Sequence, residues 1–187
     1  MSARTEPWYI HAVLYAVIIA LVYVLIRVAI IEPAEVIERE NYIRAESRLR
    51  MANLREAQIL WEEKYGSFTD NLDSLINFVM TDTTVKKVMV GYDSLAQRST
   101  NPFKLLSHGE FTPESLYTYP RNGLRYIMEV DTNISIDTII NRRGRIVNID
   151  TVISIGNRYV IETPDSNDRD KIGDKYSDAL KNSASWE

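Results

Sequence analysis

The chain has 187 residues, 45% of them hydrophobic, with a net charge of −4 and no cysteine. That length holds one membrane segment and one domain of ordinary size, since domains run to ~100–150 residues. The acidic balance disfavours non-specific nucleic-acid binding, which needs a basic face. The missing cysteines exclude disulfides, thiolate metal sites and cysteine nucleophiles.

The hydrophobic residues are unevenly distributed. From Ile10 to Ile26 there are seventeen residues of which only His11 can charge near neutral pH, and the apolar pattern resumes after Arg27 with Val28, Ala29, Ile30 and Ile31. A helix over Trp8–Ile31 would span ~36 Å, enough to cross a ~30 Å hydrocarbon layer once. Trp8, Tyr9 and Arg27 then fall near the interfaces, with Arg27 snorkelling outward. The length of the run, its interruption by Arg27 and the lack of a small-x-small site before Glu32 predict a retained anchor rather than a cleaved signal peptide. Arg4, Glu6 and Arg27 are the only charged residues before Glu32, so the rest of the chain carries about −5. The bias in Lys and Arg is slight. A short N-terminal flank held in the cytoplasm predicts a single pass of the cytoplasmic (inner) membrane with the C-terminal domain on the periplasmic side.

Pro33 is tolerated in a first helical turn but removes a hydrogen bond from a continuous helix, so a kink is expected at Glu32–Pro33. From Ala34 to Tyr65 there is no Gly or Pro, and Glu35/Arg39, Glu40/Arg44 and Glu46/Arg50 stand in the favourable i,i+4 order. A stripe through Val36, Ile43, Leu49, Leu54, Ala57 and Trp61, with Tyr42, Ile59 and Leu60 beside it, gives the helix an apolar side. Its second half is expected to pack on its own domain, with Trp61 and Tyr65 in the core. The membrane-proximal half, with Tyr42 and Leu49, is the candidate contact for a partner helix.

Gly66 should end this helix, and Thr69 or Asp70 should cap a short one carrying Leu72, Leu75, Ile76 and Val79 on one face. Beyond Val79, β-branched runs between turn residues predict antiparallel strands at Val85–Val90, Leu124–Val130, Ile134–Asn141, Arg145–Ile155 and Arg158–Glu162. Hairpin turns are expected at Asn141–Gly144 and Gly156–Asn157, and Tyr92–Asn122 reads as a long irregular connection. A polar spacer and a tail with a short helical pattern through Ile172, Tyr176 and Leu180 complete the chain. The expected plan is α+β, with segments 1–31 (flank and transmembrane helix), 32–66 (extended helix), 67–163 (α+β part) and 164–187 (spacer and tail).

Candidate chemistry is sparse. His108 stands in a loop near Ser107 and Glu110, but sequence neighbours rarely form a triad, and His11 belongs to the apolar run. Asp165 to Asp170 holds several oxygen ligands, yet Arg169 and Asp170 occupy positions where a calcium loop needs other residues, so an acidic turn is the expectation. Arg142, Arg143 and Arg145 around Gly144 form the one basic cluster of the sheet region. Glu62, Glu63 and Glu110 are not brought together by anything in the sequence. No catalytic, cofactor-binding or metal residue is predicted.

The segment Trp61-Glu-Glu-Lys-Tyr-Gly-Ser-Phe68, where the long helix ends at an aromatic-Gly-x-aromatic corner, resembles the same point in type IV pilins and pseudopilins. A prepilin leader ends in Gly just before its apolar helix, whereas the first Gly here is Gly66, so assembly by the usual pilin route is not expected. Most of the chain is similar to single-pass membrane proteins of Bacteroidota without an assigned function, through Leu54–Gln58, Leu72–Phe78, Ser115-Leu-Tyr-Thr-Tyr-Pro120 and the terminal Trp186-Glu187. The resemblance implies a pilin-like domain and no reaction. The expected function is a non-enzymatic structural or adaptor subunit of a cell-envelope assembly, related to secretion or motility. Its partners would be membrane lipid and other envelope proteins, met through the rod, the sheet edge or the C-terminal tail. The alternative is an accessory single-pass subunit of a larger membrane enzyme or transporter, with Arg27 or His11 facing the catalytic neighbour.

Overall fold

In a computed structural model, residues 8–95, 97–140 and 143–187 are described, and the architecture is α+β. The chain forms two compact units whose boundary falls between Arg44 and Ala45, inside one long helix.

From Trp8 on, the first unit is helical. Helix α1 covers Trp8–Ile26, a π-helical turn follows at Arg27–Ile31, and α2 starts at Glu32 and runs to Tyr65. The expected kink is replaced by this π turn. The ring of Pro33 conflicts with a normal i−4 carbonyl and has no N–H to give it. The turn before it is widened, so that the N–H of Glu32 donates to the carbonyl of Arg27, five residues back. The helical run Trp8–Tyr65 is 58 residues long, and its apolar window is not buried at all within the chain, which makes it a candidate single membrane span.

In the second unit, the face of α2 that enters the core carries Met51, Leu54 and Ala57, none of them solvent-exposed. The core lies higher on the helix than predicted: Trp61 is half-buried and Tyr65 is 54% exposed. Gly66, at φ +76°, ends the helix, its N–H donating to Glu62 O at 2.7 Å. Helix α3 (Leu72–Thr81) is capped by Asn71, whose side chain accepts from the Ser74 N–H at 2.9 Å, rather than by Thr69 or Asp70. It buries Leu72, Leu75, Ile76, Phe78 and Val79.

The strand predicted at Val85–Val90 is a helix, α4 (Thr83–Val90). Asp82 accepts from the Thr84 N–H at 2.7 Å and so caps a new helix directly after α3, and burial of Val85 holds it there. Capping and packing override the weak β preference of Thr and Val. The long connection contains a two-residue ladder, β1 (Tyr92–Asp93) with β2 (Arg98–Ser99), and a 3-10 turn at Pro113–Tyr117. Phe103 and Phe111 stack within it, with ring centroids 4.6 Å apart.

The main sheet is antiparallel in the order β3-β4-β5. Here β3 is Ile127–Ile140, β4 is Ile146–Glu162 and β5 is Lys171–Gly173. Four of the predicted strands are thus two long ones. Of the predicted turn at Asn141–Gly144, Asn141 and Arg142 lie outside the described residues. The Gly-Asn pair at 156–157 is a bulge, not a hairpin turn: Val130 pairs with Tyr159 and Thr132 with Ile155, leaving Asp131 opposite Gly156, Asn157 and Arg158. Gly156 does adopt φ +73°, and a Cβ there would stand 2.8 Å from Phe68 O. Its own carbonyl accepts the Phe68 N–H at 2.7 Å. Asp131 closes the bulge by accepting from Arg158 N at 2.8 Å and Nε at 3.2 Å.

The tail belongs to the domain. Ile172, predicted as helical, is fully buried on β5, because its register opposite Ile161 covers the end of the sheet. Only Asp178–Leu180 forms a short 3-10 turn. Ala184 bridges back to Ile172, and the Arg48 guanidinium lies 5.2 Å from the ring centre of Trp186.

Candidate interaction surface

Within the second unit, α2 acts as a spine to which the loops are fastened by polar side chains. Asn53, fully buried, donates from Nδ2 to Lys104 O at 2.9 Å and accepts the Lys104 N–H on Oδ1 at 2.7 Å. Gln58 does the same for Thr69, at 2.5 and 3.2 Å. A side-chain amide thus completes a loop residue as a neighbouring strand would. Glu46 accepts from both the N–H (2.9 Å) and the hydroxyl (2.5 Å) of Ser107, and from Arg50 Nε at 3.0 Å. Arg50 in turn donates to Thr118 O at 2.7 Å. Burial alone would push the Glu46 carboxyl up, but these donors more than offset it and hold it below the usual range. Arg48 forks onto Asp170 at 2.6 and 3.2 Å, and Arg55 reaches Glu187 at 3.1 Å. No buried side-chain nitrogen or oxygen among the described residues lacks a partner.

The acidic turn is used in the same way. Asp168, buried, accepts the Tyr119 hydroxyl at 2.8 Å, Asp165 pairs with Arg121 at 3.3 Å, and Asp170 takes Arg48. The three carboxylates serve separate partners, and among the described residues no three His, Asp or Glu side chains gather as a metal would require. Ser107 is held by Glu46 rather than His108, and Glu62 pairs with Lys181 at 2.7 Å. Glu63 and Glu110 are exposed, and neither joins Glu62.

What the domain does leave open is the ribbon of β3 and β4. β5 pairs only with Val160, Ile161 and Glu162, so from Thr132 and Ile155 outward the ribbon is two-stranded among the described residues. Its register runs from Thr132 opposite Ile155 to Ile140 opposite Ile146, with Thr138 opposite Ile149 and Ile139 opposite Asn148. Thr138, Ile139, Ile146 and Ile155 are all exposed. A free two-stranded ribbon is marginal alone, and both outer edges offer unpaired backbone groups for strand addition. Arg143 and Arg145 flank Gly144 at the end of the ribbon, whereas Arg142 lies outside the described residues.

The residues predicted for anchoring and contact are distributed along the helices. Trp8 is 79% exposed and Tyr9 57%, both at the start of α1, and Arg27 opens the π turn. Tyr42 is 57% exposed, beyond Val36 and Ile37, which are exposed as well. Leu49 is half-buried in the domain and so is not a free contact for a partner helix. The sequence reading missed the buried polar set of Glu46, Ser47, Asn53 and Gln58. Their helical spacing among Met51, Leu54 and Ala57 was the available signal. No protein-family model, curated protein or solved structure matches the chain.

Proposed function

We propose that the protein is a membrane-anchored, non-enzymatic structural or adaptor subunit of a cell-envelope assembly, of pilin-like plan and related to secretion or motility. The kinship proposed is to single-pass membrane proteins of Bacteroidota, with the anchor in the cytoplasmic membrane and the domain on the periplasmic side. The observation that carries this reading is the ribbon: beyond the bulge β3 and β4 pair only with each other among the described residues, and Thr138, Ile139, Ile146 and Ile155 are exposed on it. Partner binding there would add a strand to β3 or β4 and cover these side chains. The C-terminal tail, docked on β5, is not offered as a second receptor site.

The chain has no cysteine, so Thr138→Cys gives the protein a single thiol on the ribbon. Crosslinking this variant in its native membrane, followed by mild extraction and mass spectrometry, should yield a defined adduct with an envelope protein and a full-length complex larger than a monomer. A monomer with no adduct would sink the proposal. The π turn at Arg27 favours one alternative, an accessory subunit of a membrane enzyme or transporter, because such turns recur where helices meet functional partners. In that case the complex would contain a cofactor-bearing or transporting neighbour, and crosslinks would come from position 27 rather than 138.

A further inference from the structure

We propose that the open pocket beside Trp61, Tyr65, Phe78 and Asp82 binds a small trimethylammonium solute, and that Lys64 is its tethered occupant in the empty protein. Trp61 and Tyr65 stand one turn apart near the end of α2, and Phe78 comes from α3. The rings lie 4.4, 5.2 and 6.0 Å apart between centroids, tilted by 40°, 78° and 62°, so their faces turn in different directions. The Lys64 ammonium sits 5.2 Å from the Tyr65 centroid and 5.5 Å from that of Phe78, and it also donates to the Asp82 carboxylate. Two ring faces and a carboxylate thus converge on one cation.

The two charged partners differ in their freedom to leave. The Asp82 side chain is 13% exposed and is held in place by the Thr84 N–H, whereas Lys64 is 38% exposed on a long flexible stem. If Lys64 swings out, the carboxylate stays at the pocket wall and a second cation can take the vacated place. The site favours a methylated one, because aromatic faces reward cations that shed water easily and a primary ammonium holds its hydration. The pocket is about 270 Å³, open to solvent, and bordered by the exposed polar residues Ser74 and Asn77. That is room for a whole solute of the choline or betaine type.

The test is a titration of the full-length protein in a maltoside detergent with tetramethylammonium chloride and choline chloride, read by saturation transfer to the ligand methyl protons, against sodium chloride at equal ionic strength. Saturable binding of both is expected. Lys64→Met should tighten it ~3- to 10-fold by removing the competitor, and Trp61→Ala and Asp82→Asn should each weaken it ~10-fold. Lys64→Arg, which keeps a cation in place, should bind no more tightly than the parent. A response that fails to saturate, is matched by sodium, is unchanged or weaker in Lys64→Met, or is tighter in Lys64→Arg than in the parent would overturn the assignment. Thermal unfolding of each variant separates loss of binding from loss of fold: weakened binding in a variant that melts with the parent supports it, and unchanged binding in folded Trp61→Ala overturns it.

Discussion

Asn53→Ala isolates the use of a side-chain amide as a loop fastener. Asn53 has no solvent exposure and makes two hydrogen bonds to the backbone of Lys104, at 2.9 and 2.7 Å. Each bond is worth ~1 kcal/mol net, and each backbone group left without a partner beside the core adds ~1–3 kcal/mol. Partial rescue by water entering the vacated space brings the expected loss to about 3–4 kcal/mol, a large share of a typical domain stability of ~5–15 kcal/mol. Lys104→Ala is the control, for its side chain is exposed and only its backbone is used; it should change stability by less than ~0.5 kcal/mol. Urea unfolding of the detergent-solubilised protein, followed by tryptophan fluorescence, measures both. Hydrogen exchange should show faster amides at 103–107 in Asn53→Ala, where Phe103 and Leu106 flank the fastened residue. A loss below ~1 kcal/mol, or equal losses in the two variants, would refute the idea that the amide holds the loop.

Burial holds the phenols of Tyr119, Tyr126 and Tyr159 above their usual range, Tyr119 to about 12 with help from the Asp168 carboxylate it donates to. For Tyr119 the stabilisation is complete below its unfolded pKa of 10.0 and is lost as pH rises through about 12. An absorbance titration should show a set of three phenols ionising above the usual range, Tyr119 near pH 12 and Tyr126 and Tyr159 higher. On the acid side, Glu46 is held below its usual value, so its contribution is present above that value and lost as pH falls through the lowered one; Glu46→Gln should flatten the acid limb of the melting profile. Gly156→Val should lower stability by ~2–4 kcal/mol in a thermal melt, since φ is +73° and Phe68 O stands 2.8 Å from a Cβ.

The helical spine was legible in the sequence because its signals are local. Seventeen residues without a permanent charge, the Glu-before-Arg pairs and Gly66 each act within a turn or two. The sheet was harder to read. Gly156-Asn157 carries real turn chemistry, and Gly156 does take a positive φ, but pairing of Thr132 with Ile155 and Val130 with Tyr159 on either side turns a hairpin signal into a bulge. That choice depends on residues more than twenty positions away. The helix at Thr83–Val90 was hidden because propensity was weighed before capping, although Asp82 stood in the cap position. Ile172 was misplaced for a different reason: a three-residue strand has too little period to announce itself.

The polar clips and the bare ribbon follow from one constraint. A single helix cannot cover a loop-rich domain with apolar contact alone, so α2 carries Glu46, Asn53 and Gln58 into the core to complete the backbone of loops that lack a ladder. Glu46 also holds Ser107, the sequence neighbour of the loop histidine. The ribbon answers to the opposite condition. Its strands extend nine register pairs beyond the bulge, and among the described residues no third strand pairs with them there. The exposed Ile139, Ile146 and Ile155 beside those strand edges are what the proposed strand addition would cover, which is why the crosslinking thiol is placed at Thr138 rather than in the acidic turn or the histidine loop.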